Sequence, residues 1–216
     1  MREPRTFLGI VTAAVLLTAG VSDAAFALPA CPVATLNVYF TLDQTGGCLV
    51  GDETFEGFFY SGGGTGIAAN QVTVTPVTIG NPGLRFNAAW AGPATGVNTV
   101  ELDLTVAAGA GPVGFLSDAD LAIGTAAGTF TDTEQLFNFT VLKGTLTVAA
   151  PNQQQAIGFG TTFGFFDAFN TLTLNSGSAV SQITEQFSET EVPEPASLAL
   201  VGAALAGFAM VRRRRS

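Results

Sequence analysis

The side chains that could carry chemistry in this chain are carboxylates, and they occur in close pairs. The sequence contains no histidine, so Ser-His-Asp triads, Cys-His dyads and most zinc or copper sites are excluded. What remains is acid-base chemistry by two carboxyl groups that face each other across a cleft, as in glycoside hydrolysis. The pairs are Asp52 and Glu53 with Glu56, Glu101 with Asp103, Asp118 with Asp120, and Asp132 with Glu134.

The pair Asp118 and Asp120 follows the segment 114–117, Gly-Phe-Leu-Ser, and this stretch predicts a loop. Two carboxylates together with backbone carbonyl oxygens are ligands that Ca²⁺ accepts. The segment lacks the pattern of the EF-hand loop. Asp118 and Asp120 are therefore weak candidates for a calcium site, and we otherwise expect no metal and no cofactor.

The pair Glu101 and Asp103 alternates with Leu102 and Leu104. Residues two apart on a β-strand point to the same face, so the two carboxylates lie opposite the two leucines. This pattern predicts a strand with one buried face and one solvated face rather than a catalytic pair.

Aromatic side chains are the other candidate for binding, because sugar-binding proteins stack pyranose rings on exposed aromatic rings. Phenylalanine dominates here, whereas stacking sites usually favour Trp and Tyr, and core packing is the favoured interpretation. In the adjacent pairs Phe58-Phe59 and Phe165-Phe166 the two rings point to opposite sheet faces, so one of each pair is exposed, covered by a neighbour or at an interface. The rings considered are Phe55, Phe58, Phe59, Tyr60, Trp90, Phe163, Phe165, Phe166 and Phe169.

The N-terminus has the pattern of a secretory signal peptide. Arg2 and Arg5 precede an apolar run over 7–21, and Ala25-Phe26-Ala27 follows. This order predicts cleavage by signal peptidase after Ala27 and a signal peptide over 1–27. A retained membrane anchor is the alternative, although the run is shorter than the ~20 residues that span a bilayer.

The C-terminus has three parts with separate physical roles. Pro193 and Pro195 flank Glu194 and hold the backbone extended, because each proline ring fixes φ and disfavours helix at the preceding residue. An apolar run follows and predicts a short transmembrane helix over 196–211. Arginines are costly to translocate, so the basic cluster that ends the run stays cytoplasmic and stops transfer. That cluster is Arg212, Arg213, Arg214 and Arg215.

This order of motif, helix and arginine cluster resembles the PEP-CTERM sorting signal. The resemblance implies recognition by an exosortase and cleavage at or near Pro193-Glu194-Pro195. It also implies an inner-membrane anchor before processing, and delivery to the cell surface or exopolysaccharide matrix of a Gram-negative bacterium. The resemblance covers the tail alone, within a predicted linker and sorting segment over 189–216. An ordinary single-span anchor is the alternative.

The two cysteines, Cys31 and Cys48, most simply form one disulfide in an exported protein. A thiol nucleophile is not expected, since there is no histidine to activate it. The sequence Leu-Pro-Ala-Cys at 28–31 offers an alternative as a lipobox, in which Cys31 would be lipidated.

Between the two targeting segments, residues 28–188 show short runs in which apolar residues alternate with polar ones, separated by Gly, Pro and Asn turn formers. Period two without amphipathic helices predicts an all-β domain, an antiparallel β-sandwich of nine to eleven strands with a jelly-roll-like topology. The runs include 36–40, 72–74, 84–90, 100–106, 137–141 and 172–174.

The predicted domain is strongly acidic. From residue 28 to residue 192, Arg85 and Lys143 stand against fourteen carboxylates, which gives a net charge of −12. Such a surface repels phosphate backbones, so nucleic-acid binding is not expected. We expect a non-enzymatic structural or adhesive protein. A carbohydrate-binding module, calcium-dependent or not, is the alternative, and an enzyme acting on polysaccharide comes third. A binding module should expose aromatic or carboxylate side chains together on one sheet face.

Overall fold

The computed structural model describes residues 28–109 and 114–191. The predicted signal peptide over 1–27 lies outside the described residues, as do the motif at 193–195, the helix at 196–211 and the arginine cluster at 212–215. Within the described ranges, no helix has both the length and the apolar character needed to cross a membrane.

The described residues form thirteen strands and one short α-helix, α1 (Leu36–Asp43), with 3-10 turns at Gly63–Thr65 and Ala69–Gln71. Ten strands have five or more residues, in agreement with the predicted number, and the other three have two or three residues. The strands are β1 (Ala34–Thr35), β2 (Cys48–Val50), β3 (Glu53–Ser61), β4 (Thr73–Val77), β5 (Gly83–Ala91), β6 (Val97–Ala107), β7 (Gly114–Ile123), β8 (Ala126–Ala127), β9 (Phe130–Asn138), β10 (Val141–Ala149), β11 (Gln154–Phe163), β12 (Phe165–Asn175) and β13 (Ala179–Glu191).

The strands form two antiparallel sheets, and the predicted all-β sandwich is confirmed. The six-stranded sheet has the order β10-β9-β12-β6-β3-β2. The seven-stranded sheet has the order β1-β4-β5-β13-β7-β11, with β8 paired to β13. From β10 to β13 the chain alternates between the six-stranded and the seven-stranded sheet, and such crossings are typical of a jelly roll.

The core lies between the two sheets and is filled by alternate residues of each long strand. In β6, Val100, Leu102, Leu104 and Val106 are buried, and the residues between them point outward. This is the alternation expected of a strand with one solvated face. The largest side chains with almost no exposure are Trp90, Tyr39, Phe55, Phe86, Phe130, Phe166 and Phe187.

The segment 36–40 is helical, and the predicted strand there is wrong. Leu36 and Tyr39 are buried while Val38 is 41% exposed, a spacing of three that suits a helix and not a strand. The Tyr39 hydroxyl donates to the carbonyl of Pro32 at 2.6 Å, which ties the helix to the chain entering it. The alternation of Leu36, Val38 and Phe40 was therefore too short to establish a strand.

Two further boundaries differ from the sequence-based expectation. Asp118 and Asp120 lie in the middle of β7, paired with Ser188 and Gln186, and not in a loop. Strand β13 continues to Glu191, so the first three residues of the predicted linker are paired with β7. Asp118 and Asp120 are outward residues of a paired strand rather than members of an unpaired segment.

The predicted disulfide between Cys31 and Cys48 is confirmed, with Cα atoms 4.9 Å apart. Backbone hydrogen bonds flank it on both sides, from Cys31 N–H to Leu49 O and from Leu49 N–H to Pro29 O. The Cys31 sulfur is used in this bond, which argues against the lipobox alternative.

Candidate functional site

The outer face of the six-stranded sheet carries an unusual set of exposed aromatic rings. We call it the Phe face. Large rings there remain open to solvent, among them Phe59 at 50%, Phe169 at 43% and Phe139 at 74%. The outward side chains that define the face are Glu56, Phe59, Glu101, Asp103, Thr105, Gln135, Phe137, Phe139, Phe165, Asp167 and Phe169.

A single row of side chains crosses the middle of the Phe face. Asp103 on β6 is paired with Phe59 on β3 and with Phe169 on β12, and Phe169 is paired with Gln135 on β9. One carboxyl group therefore lies between two exposed rings. Since neighbouring strands are ~4.8 Å apart, the Cα atoms of the two phenylalanines are separated by roughly 10 Å.

The rings continue diagonally away from this row. Phe169 contacts Phe137 edge-on with ring centroids 5.4 Å apart. Phe139, from the turn after β9, contacts Phe165 in the same manner at 4.9 Å. Strand spacing and rise per residue place Phe59 and Phe139 roughly 20 Å apart. The Phe face thus offers an extended line of rings rather than a closed pocket.

A β-bulge in β3 places Phe59 on this face. The register with β6 shifts between Glu56 and Phe59, so that Gly57 and Phe58 together occupy one position opposite Leu104. Gly57 has φ of +66°, and a Cβ there would lie 2.8 Å from Thr105 Oγ1. Only glycine fits such a position without strain. The bulge buries Phe58 and leaves Phe59 exposed, so the two rings lie on opposite sides, as predicted.

Asp103 is half-buried between its aromatic neighbours. Burial, followed by the nearby Glu101 carboxylate, raises the pKa of Asp103 to about 6, and the backbone N–H of Asn170 opposes this rise. Two residues further along β6, Thr105 donates a hydrogen bond to Asp167 Oδ1 at 2.8 Å. Glu101 is exposed, as the alternation with the leucines predicts. The face is therefore both apolar and acidic.

A second set of carboxyl groups lies inside the sandwich, where sequence reasoning did not place them. Asp132 and Glu134 on β9 and Glu185 on β13 have no solvent exposure, and Asn170 on β12 is 1% exposed. None of the side-chain oxygens of these four residues has a well-aligned hydrogen-bond partner among the described residues. Asn170 is paired with Glu134, so these groups form one polar cluster between the sheets. We call it the core acid cluster.

Burial keeps the three carboxyl groups of the core acid cluster protonated at pH values well above those at which carboxyl groups ordinarily ionise. It raises the pKa of Asp132 to about 7, against smaller opposing effects of the Asn170 side chain and the Thr133 backbone. Burial also raises the pKa of Glu134 and of Glu185, and the neighbouring acidic groups add to both effects. The buried Glu53, near Glu189 at one end of the sandwich, has its pKa raised to about 9, mainly by burial.

The weak calcium candidates lie on the outer face of the seven-stranded sheet. Asp118 Oδ1 accepts from Asn81 Nδ2 at 3.4 Å, and Asp120 Oδ2 accepts from Gln154 Nε2 at 2.8 Å. In the part of the chain that the structure describes, no three His, Cys, Asp or Glu side chains are grouped so as to hold a metal ion.

The remaining aromatic candidates pack mainly in the core, as the sequence favoured. Trp90, Phe55 and Phe166 are fully buried. Tyr60 accepts a hydrogen bond from Trp90 Nε1 at 3.1 Å. Of the rings considered in the sequence, Phe59, Phe165 and Phe169 contribute to the Phe face. Phe137 and Phe139 were not recognised as partners of these rings, because the sequence pattern predicted only an apolar run over 137–141.

Comparison with known proteins gives remote structural similarity. No curated protein matches the chain. Three solved carbohydrate-binding modules match the chain at low TM-score and low identity. TmCBM61 in complex with β-1,4-galactotriose has a TM-score of 0.36 and 11% identity, covering 75% of this chain and all of that one. A CBM4 module has a TM-score of 0.28 and 11% identity, covering 62% and 86%. The family 11 module from Clostridium thermocellum, bound to a β-1,3-1,4-mixed-linked tetrasaccharide, has a TM-score of 0.27 and 12% identity, covering 68% and 92%.

Sequence comparison gives a match at the C-terminus. Residues 191–215 match the model of the PEP-CTERM protein-sorting motif, which includes the Pro193-Glu194-Pro195 motif and the arginine cluster. The match begins at the last residue of β13, so the sandwich leads directly into the sorting signal. This chain is therefore an exported protein that carries a PEP-CTERM protein-sorting motif at the end of a β-sandwich domain.

Proposed function

We propose that this protein is a non-enzymatic cell-surface or matrix protein whose sandwich adheres to extracellular polysaccharide through the Phe face. One observation carries the proposal: the exposed row in which Asp103 lies between Phe59 and Phe169. An exposed cluster of this kind is what a binding module needs and a purely structural component does not.

The chemistry of the Phe face suits a sugar polymer. Pyranose rings have apolar C–H faces that stack on aromatic rings, and hydroxyl groups at their edges that hydrogen-bond to carboxylates and amides. The rings of Phe59 and Phe169 supply the first contact, and Asp103 and Gln135 supply the second. The roughly 20 Å length of the ring line exceeds what one sugar needs, so several consecutive sugars can lie along it.

The expected affinity of one domain is modest. Covering a half-exposed phenylalanine ring contributes about 1 kcal/mol, so a few rings offset only part of the entropy lost on binding. Many copies displayed on one surface would engage a polymer together, and this multivalency raises the overall avidity without any new contact. A weak module suits a protein whose task is retention in a matrix.

The arrangement of carboxylates on the Phe face supports a binding role over hydrolysis. Its four carboxylates all point outward from the same sheet face. They are Glu56, Glu101, Asp103 and Asp167. Glycoside hydrolysis instead requires two carboxyl groups on opposite sides of the scissile bond. We therefore propose binding without turnover, and without a required metal or cofactor.

We also propose that signal peptidase removes residues 1–27 and that an exosortase processes the tail at or near Pro193-Glu194-Pro195. The sorting match at 191–215 supports the processing of the tail. Before processing, the tail would hold the domain at the inner membrane of a Gram-negative cell. Afterwards the domain would reside at the cell surface or in the exopolysaccharide matrix.

Replacing Arg212 to Arg215 with Ser is expected to abolish normal sorting, because the charges that stop transfer are lost. The measurement is the C-terminal peptide and cellular location of the product in its native host. Replacing the same four residues with Lys keeps the charge and is the matched control. Unchanged cleavage and location of the Ser variant would contradict the sorting role.

The proposed adhesion is tested by retention on cells. In a host strain that makes no exopolysaccharide, the processed protein is expected in the medium, whereas the parent strain keeps it with the cells. In the parent strain, the double variant Phe59→Ala with Phe169→Ala is also expected in the medium. Phe115→Ala removes an exposed ring from the other sheet and should stay with the cells. Equal retention of all proteins in both strains would overturn the proposal.

A further inference from the structure

The charge around the ring row restricts the kind of polysaccharide that fits it. Asp103 is flanked on its own strand by Glu101, and the neighbouring strands add Glu56 on β3 and Asp167 on β12. Glu185 lies behind the sheet, inside the sandwich. Every ionisable group that faces or backs Asp103 in the described structure is therefore acidic.

The cationic side chains of the described residues lie elsewhere. Arg85 is on the outer face of the seven-stranded sheet, paired with Thr75 and Thr184. The Lys143 ammonium group lies 5.2 Å from the centroid of the Phe163 ring, toward β11. Neither can neutralise Asp103, so this carboxylate has no cationic partner within the described protein.

A half-buried carboxylate between two aromatic rings is complementary to a positive charge. The negative π faces of the rings and the carboxylate attract the same ammonium group, and partial removal of water strengthens both attractions. Uronic or sulfated sugars would instead bring negative charge next to at least three carboxylates and be repelled. A neutral sugar could stack on the rings, but it would leave the desolvated charge of Asp103 uncompensated.

We infer that the row of Phe59, Asp103 and Phe169 recognises a polysaccharide that bears positively charged amino sugars. Asp103 pairs with the ammonium group, and the two rings stack on the sugar faces on either side. The inference rests on the proposed polysaccharide-binding function of the Phe face, and it names the class of ligand.

Three oligosaccharides of equal length test this selectivity with the full chain in mild detergent. They are an N-acetylated chito-oligosaccharide, the same backbone with trimethylated amino groups, and an oligogalacturonate. The trimethylated amine keeps its charge at every pH, so any pH dependence reports the protein. By isothermal titration at pH 7.5 we expect the trimethylated oligomer to bind about tenfold more tightly than the acetylated one, and the oligogalacturonate not to bind.

Asp103→Asn should remove this tenfold preference, while Asp118→Asn, which removes a carboxylate from the other sheet, should change it less than about twofold. Affinity of the wild type for the trimethylated oligomer should also fall from pH 7.5 to pH 5, because Asp103, with its pKa of about 6, is then protonated. Both variants should be folded at the temperature of the titration, which their melting temperatures check.

If Asp103→Asn and Asp118→Asn lose the preference for the trimethylated oligomer to the same extent, the whole acidic surface attracts the charged sugar. That result would overturn the inference. Equal binding of charged and acetylated oligomers, unaffected by Asp103→Asn, would overturn it too while leaving the proposed polysaccharide binding intact. If none of the oligomers binds, and the polysaccharide of the native host does not bind either, the proposed function itself fails.

Discussion

The melting temperature of the full-length protein is expected to fall by at least about 10 °C between pH 5 and pH 9. The cause is the core acid cluster of Asp132, Glu134, Glu185 and Asn170, together with the buried Glu53. Between the pKa of the unfolded chain and the raised pKa of the folded protein, each of these carboxyl groups is protonated in the folded sandwich and ionised in the unfolded chain. Raising the pH therefore favours unfolding.

The sign and the pH window follow from the pKa values. The folded pKa of Asp132 is raised from 3.8 to about 7, so its contribution is complete below pH 4 and is lost as the pH rises through 7. Glu53, raised from 4.5 to about 9, extends the loss to pH 9. Glu134 and Glu185 act in the same direction. At about 1.4 kcal/mol per pK unit, the combined loss between pH 5 and pH 9 is about 5 kcal/mol or more.

The variant Asp132→Asn with Glu134→Gln and Glu185→Gln tests the cause. Amides resemble protonated carboxyl groups in shape and cannot ionise, so the melting temperature should depend less on pH and be higher than that of the wild type at pH 9. The dependence that remains should be that of Glu53, which this variant retains. The exposed carboxylate variant Glu101→Gln is the matched control and should keep the wild-type dependence. A wild-type melting temperature that is equal at pH 5 and pH 9, or that rises with pH, would contradict the buried, protonated cluster.

Removing the disulfide by Cys31→Ala with Cys48→Ala is expected to lower the free energy of unfolding by about 3 kcal/mol. The bond closes a loop with a sequence separation of 17 residues, and its loss frees the unfolded chain. In the folded protein, backbone hydrogen bonds to Leu49 would still hold the segment around residue 31. Urea unfolding of both proteins at pH 5 gives the difference.

Two observations would count against this account of the disulfide. A variant as stable as the parent would show that the bond does not constrain the unfolded state. Two free thiols in the exported native protein would show that the bond does not form. The variant Ser176→Ala, at an exposed turn far from the bond, controls for the effect of substitution alone.

The fold was readable from the sequence where a strand is long and has one apolar face. In β6, four apolar residues alternate with Glu101, Asp103 and other polar residues. In the structure, the four apolar side chains point into the core and the polar ones point outward. The same rule failed at α1, where Leu36, Val38 and Phe40 gave only three points. It also failed at β7, because Asp118 and Asp120 are outward residues of a paired strand and not loop residues.

The site was only partly readable. Phe59 reaches the surface through a bulge at Gly57, and neither the bulge nor the cross-strand register of Phe59, Asp103 and Phe169 is encoded in a local pattern. Register depends on pairing between distant segments. The line of rings therefore emerges only when β3, β6, β12 and β9 are assembled.

The core acid cluster could have been found from a local signal. Phe130 and Leu136 flank Asp132 and Glu134 with a period of two, and Ile183 and Phe187 flank Glu185 in the same way. An acidic residue with apolar neighbours two positions away on both sides points to the core. What the sequence does not reveal is that β9 and β13 bring these acids together from opposite sheets.

The measurement that tests the proposed role of the Phe face most directly is a binding titration of the full-length protein with exopolysaccharide purified from its native host. We predict saturable binding by the wild type and by Phe115→Ala, and a loss of at least about tenfold in affinity for Phe59→Ala with Phe169→Ala. All proteins should be folded at the temperature of the titration, which their melting temperatures check. If the double variant binds as tightly as the wild type, the Phe face is not the polysaccharide site.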